Sequence, residues 1–340
     1  MSNEIRIKSV AEFVDRLSKL EKPKQGYTRF FRGHSNERFN LEPKVYRQDN
    51  WIENEHKIVK DVLTECAEYF SPHDTLFDKL VKMQHYGYPT RLLDITYNSL
   101  VALYFAVNEN DTTTNKDGTN GEVIIFDIPN DEIKYHDSDT VAILSALSLR
   151  DESFDIEFYR KMAHKDFLTD TNLLLSQLRK NPLNLQDNLM NISKQIDDDI
   201  LSYQDKKQRD ALFEEINKKF NTYPEIIQLL NDIRKDKPYF LPNIDIRDIG
   251  RTLCVKPVLN NERIKKQQGA FLIFGIDENK LNPTEFRDIG ENATYQHITI
   301  DKYAKSFIVN ELKSFGISYQ TLFPELENQA KYIINRYKDI

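Results

Sequence analysis

Glycine is confined to the two ends of this chain, and that confinement limits what the chain can fold into. All ten glycines of the 340 residues lie outside residues 151–240. The glycine-free block carries 17 acids and 14 bases, with apolar residues at helical spacing: Leu173, Leu174 and Leu178, then Leu212, Phe213, Ile216 and Phe220. Asn181-Pro182 and Asp197–Asp199 are the expected breaks between its helices. Its charges suit a solvated face. The block reads as a helical insertion, and residues 1–150 with 241–340 as the core around it.

The flanks carry strand signals instead. Gly121–Ile128 (GEVIIFDI) and Gly269–Ile276 (GAFLIFGI) are short, β-rich and glycine-led. Tyr27–Arg32 is a further strand ending at Gly33, and His297–Ile300 another. Asn110–Asn120 reads as a polar surface loop. Helices are expected at Ser9–Leu20, with Ser9 as N-cap and Glu12 at capping-box spacing, and at Ile52–Tyr69, with Ile58, Val62, Cys66 and Tyr69 on one face. A last helical pair spans Lys302–Phe315 and Pro324–Tyr337. Strands scattered among helices without a βαβ period predict an α+β fold with a mixed or antiparallel central sheet flanked by helices.

The net charge of −7 lends no support to a nucleic-acid partner. Cys66 and Cys254 stand far apart, so a disulfide framework or zinc site is not expected, and both read as buried thiols. No apolar run approaches the ~20 residues of a membrane span, and no signal-peptide core is present. The expectation is a cytoplasmic protein that meets no membrane.

Chemistry concentrates in three places. In FFRGH, Arg32 ends a strand beside Gly33, a fork of donors next to approachable backbone that suits phosphate, carboxylate or ribose, or a structural ion pair. In MQHYGYPTRLLDIT, Gly87 and Pro89 fix a turn among Gln84, His85, Thr90, Arg91, Asp94 and Thr96. Arg91 and Asp94 read either as a buried, mutually satisfied pair or as a pair with one member on a ligand. In NERIKKQQGAF, Arg263 and Gln268 precede a strand beside lysines, a basic lip suited to a phosphate-bearing ligand or an ordinary lysine surface. His34, His85 and Asp94 lack metal-ligand spacing, and no metal is expected. Walker, GxGxxG, HExxH and GxSxG motifs are absent.

These three elements resemble the FRG-domain family, named for a Phe-Arg-Gly motif that here is Phe31-Arg32-Gly33. The resemblance runs through Gln84–Gly87, Pro89–Asp94 and Ala102–Ala106, then Asn261–Phe271 and GISYQTLFPEL (Gly316–Leu326). A weaker resemblance is to the ADP-ribosyltransferase superfamily: Arg32-Gly33 at the end of a first core strand, Thr96 leading into a helix, and a third strand at Gly269–Ile276. Many such enzymes carry a catalytic Glu just before that third strand, where this chain has Gln267 and Gln268.

The second resemblance implies an ADP-ribosyltransferase-like core and an enzyme that uses NAD as substrate, modifying a target or hydrolysing NAD. Arg32 and the Gly33 backbone would grip phosphates or ribose, and His85 and Thr96 would line the nicotinamide end. Asp94 or Glu262 would supply negative charge, and Arg263 and Gln268 would complete the ribose and phosphate contacts. His34, Gln84, Thr90 and Arg91 fill out the expected ligand-binding set. The resemblance also implies an intracellular bacterial or phage-defence toxin acting on a protein or nucleic-acid target. The rival readings are a non-catalytic nucleotide- or protein-sensing module and a metal-dependent nuclease, the latter short of the clustered acids a two-metal site needs.

Overall fold

A computed structural model describes residues 6–108, 118–179, 206–290 and 292–337. The expected breaks at Asn181-Pro182 and Asp197–Asp199, and most of the polar loop Asn110–Asn120, lie outside the described residues.

The centre is a seven-stranded sheet of β1 (Tyr27–His34), β2 (Leu92–Thr96), β3 (Gly121–Pro129), β4 (Ile133–Tyr135), β5 (Thr252–Lys256), β6 (Gly269–Phe274) and β7 (Thr294–Ile300), ordered β4-β5-β6-β2-β1-β3-β7. Neighbours are antiparallel except β4 and β5. The α+β expectation holds. β1, β3, β6 and β7 fall where the sequence put them, with ends shifted by a few residues.

Strands β2, β4 and β5 were not foreseen, and β2 is instructive. LLDIT lacks the alternation of a half-buried strand because it is central: Leu92 packs into one core cluster and Leu93 into another on the opposite face.

Two clusters share one face of the sheet. The first sets Leu92, Leu253, Phe271 and Ile273 against helices Glu55–Glu65, Leu76–His85 and Asp139–Ala146. The helices Lys206–Phe220 and Pro224–Asp236 add Phe220 and Leu229 to that same cluster, so this described part of the glycine-free block packs on the core. The second sets Phe31, Val123 and Ile125 against helices Val10–Ser18, Ser99–Val107 and Lys305–Ser314. The opposite face buries Phe30, Leu93, Ile124 and Phe126 against Phe286 and Ile289.

The helix expected over Ile52–Tyr69 is instead Asp49–Glu53 and Glu55–Glu65, broken at Asn54, with a short turn at Ala67–Tyr69. Its buried face is Ile52, Glu55, Val59 and Val62, while Tyr69 is exposed. A buried glutamate sets that rotation, and apolar periodicity cannot register it. Ser9 caps the first helix by accepting the Glu12 N–H at 3.1 Å, but Glu12 reaches back to the Lys8 N–H rather than to Ser9. The last pair of helices is three: Lys305–Ser314, Tyr319–Leu322 and Leu326–Arg336. Cys254 is buried and Cys66 only partly so, both as free thiols. No helix among the described residues is long and apolar enough to cross a membrane.

Candidate functional site

The two helix-covered clusters part along the β1–β2 seam. These strands are in register only at Phe31–Thr96. Continuing that register would set Gly33 opposite Asp94, but the strands diverge. The Asp94 carbonyl, left without a strand partner, accepts a hydrogen bond from Arg32 Nη1 at 2.6 Å. A cleft of about 180 Å³ opens at this seam. Phe31, Val101 and Phe105 wall it on one side and Val81, Ile264 and Phe271 on the other. Among the predicted residues, Arg32, Gly33, Gln84, His85, Asp94, Thr96 and Arg263 line it.

Each arrives for a local reason. Helix Leu76–His85 ends into Gly87, whose φ of +89° suits glycine. Buried Thr90 donates its hydroxyl to Gln84 Oε1 at 2.7 Å, which orients the amide so that Nε2 donates to Asp94 Oδ2 at 2.6 Å. Asp94 is the exposed residue of β2, its carboxylate lying where no helix covers the sheet. Thr96 donates to the Gln267 carbonyl at 2.7 Å and accepts the Asn98 N–H at 2.9 Å, and Asn98 caps helix Ser99–Val107. Thr96 therefore ties β2 to the end of helix Glu262–Gln267 and to helix Ser99–Val107 at the cleft floor.

Arg32 pairs in register with Ile124, so its side chain leaves β1 on the face opposite Phe31 and reaches the cleft through the seam. Its Nε donates to His34 Nε2 at 2.9 Å. Burial lowers the guanidinium to about 10; Asp94 opposes that shift and Arg47 adds to it. His85 Nε2 lies 3.1 Å from Glu325 Oε1. Burial and then Arg263 push its pKa below the usual histidine value, against Glu325 and Asp94. Arg263 donates to the His85 carbonyl at 3.2 Å and stacks 4.6 Å from the Phe323 ring centroid.

Five expected ligand contacts lie elsewhere. Arg91 is fully buried and does not pair with Asp94; it donates to Glu55 and to the Phe274 carbonyl. Alternation along β2 separates the two, with Arg91 held in the core and Asp94 in the cleft. Glu262 is exposed on the surface, paired with Lys265 at 2.7 Å. Gln268 takes a left-handed conformation (φ +47°) to end helix Glu262–Gln267, which turns its neighbour Gln267 to the cleft instead. Thr90 and His34 are buried behind Gln84 and Arg32.

Gly33 lines the cleft, but packing dictates the glycine. A Cβ there would stand 1.9 Å from the Ala102 carbonyl oxygen. Helix Ser99–Val107 crosses β1 and β3 on Gly33 and Gly121, and Ala106 meets both.

Two contributors escaped the sequence reading: Glu325, and Arg47, whose charge disfavours protonation of Arg32 and His34. Of the glutamines named before the third strand, Gln267 is the one that lines the cleft. Glu325 stands in the GISYQTLFPEL block, which also offers the Leu322 carbonyl to Gln267 Nε2 at 3.1 Å. That block does not line the cleft but backs His85, Arg263 and Gln267, which do, and only its resemblance to a family marked it. Among the described residues, no group of three or more His, Cys, Asp or Glu is arranged to hold a metal ion.

No curated protein and no solved structure matches the chain. A family model described as FRG domain matches residues 28–115, which span the Arg32 strand, the Gln84–Asp94 turn and the helix seated on Gly33. The chain therefore contains an FRG domain over residues 28–115, and the cleft opens on its central strands.

Proposed function

We propose that the cleft binds NAD and that the protein breaks the bond between nicotinamide and ribose, passing ADP-ribose to a target or to water. One observation carries the reading. Strands β1, β2 and β6 are adjacent in the sheet and bring Arg32, Thr96 and Gln267 to one cleft, with the Asp94 carboxylate exposed among them. These are the three elements on which the ADP-ribosyltransferase resemblance rests.

In this reaction nicotinamide departs with the bonding pair, and positive charge develops on the ribose C1′ and ring oxygen. A fixed carboxylate in a partly dry cleft stabilises such charge. Asp94 fills that role, held in place by Gln84. The Arg32 guanidinium suits the pyrophosphate. His85 and Arg263 stand at the opposite wall for the nicotinamide and ribose. An activity that drains NAD or modifies a cellular target would serve as an intracellular toxin or an anti-phage defence.

The test is nicotinamide release from NAD by purified protein. Wild type should release it. Arg32→Ala and Asp94→Asn should each slow release by ~10²-fold or more while melting as wild type does. If wild type neither binds nor consumes NAD, the proposal is overturned.

A second reading has its own support. The position before β6 holds Gln267 rather than a glutamate, and its amide is engaged with the Leu322 carbonyl. A nucleotide sensor without chemistry would show NAD binding that Arg32→Ala weakens, and no release of nicotinamide.

A further inference from the structure

The charged form of Arg32 is favoured by the nearby Asp94 charge, but Arg32 bonds to no carboxylate. Among the described residues it makes no ion pair; its two partners are neutral acceptors, His34 Nε2 and the Asp94 carbonyl. A guanidinium held in this way has its Nη2 left for an anion, and its plane is set by the two bonds already made. One of those bonds comes from a side chain that the cleft never touches.

His34 is 3% exposed, two residues along β1 from Arg32 and on the same face. Because its Nε2 accepts from Arg32 Nε, that nitrogen is unprotonated and the ring hydrogen sits on Nδ1. Burial, Arg32, Arg47 and His297 all oppose a second proton. Glu122 Oε2 lies 3.9 Å from Nδ1, beyond hydrogen-bond reach, and the other oxygen of Glu122 meets His297 Nδ1 at 2.7 Å. Phe39 closes the ring edge-on, with centroids 6.1 Å apart.

We propose that His34 is a positioning residue: a neutral imidazole whose Nε2 locks the Arg32 guanidinium so that Nη2 is presented to an anionic group of the ligand. For the identity of that ligand the proposal rests on the NAD reading above. It reassigns His34 from a ligand contact to a residue acting through Arg32.

The comparison is between His34→Gln, whose amide oxygen can accept from Arg32 Nε, and His34→Met, which fills similar space without an acceptor of that strength. NAD should bind His34→Met ~10- to 100-fold more weakly than wild type, the loss expected for a hydrogen bond to a charged group. His34→Gln should recover most of the affinity. In an Arg32→Ala background His34→Met should cost nothing further, because its effect passes through the guanidinium.

An NMR measurement on the protein without NAD gives an independent readout. The Arg32 Nε–H resonance should be visible and slow to exchange in wild type and in His34→Gln, and lost in His34→Met. In wild type it should persist as pH falls through the ordinary histidine range, since the ring stays neutral. Wild-type affinity in His34→Met, an undiminished loss on top of Arg32→Ala, or an Arg32 Nε–H in wild type that exchanges freely would each overturn the assignment. If wild type binds no NAD, the functional proposal falls, and the Nε–H resonance still decides the role of His34.

Discussion

Gly33→Ala should destabilise the protein by about 3 kcal/mol or more, towards the upper end of what overpacking costs. The added methyl would lie 1.9 Å from the Ala102 oxygen and 2.6 Å from the Ala106 nitrogen, both backbone atoms of helix Ser99–Val107. A side chain could rotate out of the way, but a helix backbone must move as a unit. Lifting it would loosen Val101, Ala102 and Ala106 from Phe31 and Val123 and would distort the wall that Val101 and Phe105 give the cleft. Denaturant unfolding of wild type and variant is the measurement. A variant with wild-type stability that loses only ligand binding would show that the glycine serves the ligand's approach and not the helix's.

Glu55→Gln should cost about 3–5 kcal/mol, the range for breaking a buried ion pair from one side, and lower the melting temperature by on the order of 10 °C. Glu55, Arg91 and Lys280 are all fully buried. Arg91 Nε and Nη2 donate to the two Glu55 oxygens at 3.0 and 2.5 Å, and Lys280 donates both to Glu55 and to the Leu147 carbonyl. One carboxylate thus serves two cations, and removing its charge leaves both without a counterion in a medium that solvates them poorly.

The same cluster fixes a pH dependence. Burial by itself would raise the Glu55 carboxyl, but Arg91 and Lys280 outweigh it and bring the carboxyl from 4.5 to about 2. A carboxyl whose folded pKa is depressed adds stability that is complete above its unfolded value and vanishes as pH falls through the folded one. The difference between wild type and Glu55→Gln should therefore be widest near neutrality and shrink between pH 4.5 and about 2. Unfolding midpoints at pH 7 and pH 3 measure it; equal differences at both would refute the assignment.

Arg91 shows where reading from sequence reaches its limit. In PTRLLD, Arg91 and Asp94 stand three apart and read as possible partners. The strand between them puts Asp94 in the cleft, while Arg91 stays in the core with a glutamate 36 residues earlier and a lysine 189 residues later. Glu55 lies in the Ile52–Tyr69 segment, where periodicity tracks apolar residues and gives a lone glutamate no weight. The same holds behind the cleft. Glu325 meets His85 across 240 positions, and no spacing rule joins them.

His34 and Gln268 are the converse. Both residue types suit a ligand, and both stand beside residues that line the cleft, yet backbone geometry turns them away. His34 is drawn under Arg32 and Gln268 is consumed by the left-handed end of a helix.

What the sequence determined by itself was local. Residue runs set the identity of the glycine-led inner strands β3 and β6, the cap at Ser9, the turn at Gly87 and the helical character of the described parts of the glycine-free block. These depend on a residue's own backbone preferences and near neighbours, so they can be read in one dimension. The three segments that build the cleft were also legible, because polar side chains crowded among core residues are costly without a purpose. Tertiary structure alone decided which of those side chains meet. The β1–β2 seam, the buried Glu55 cluster and the Glu325–His85 contact each join residues distant in sequence, and a pairing energy between distant residues has no period for a pattern to detect.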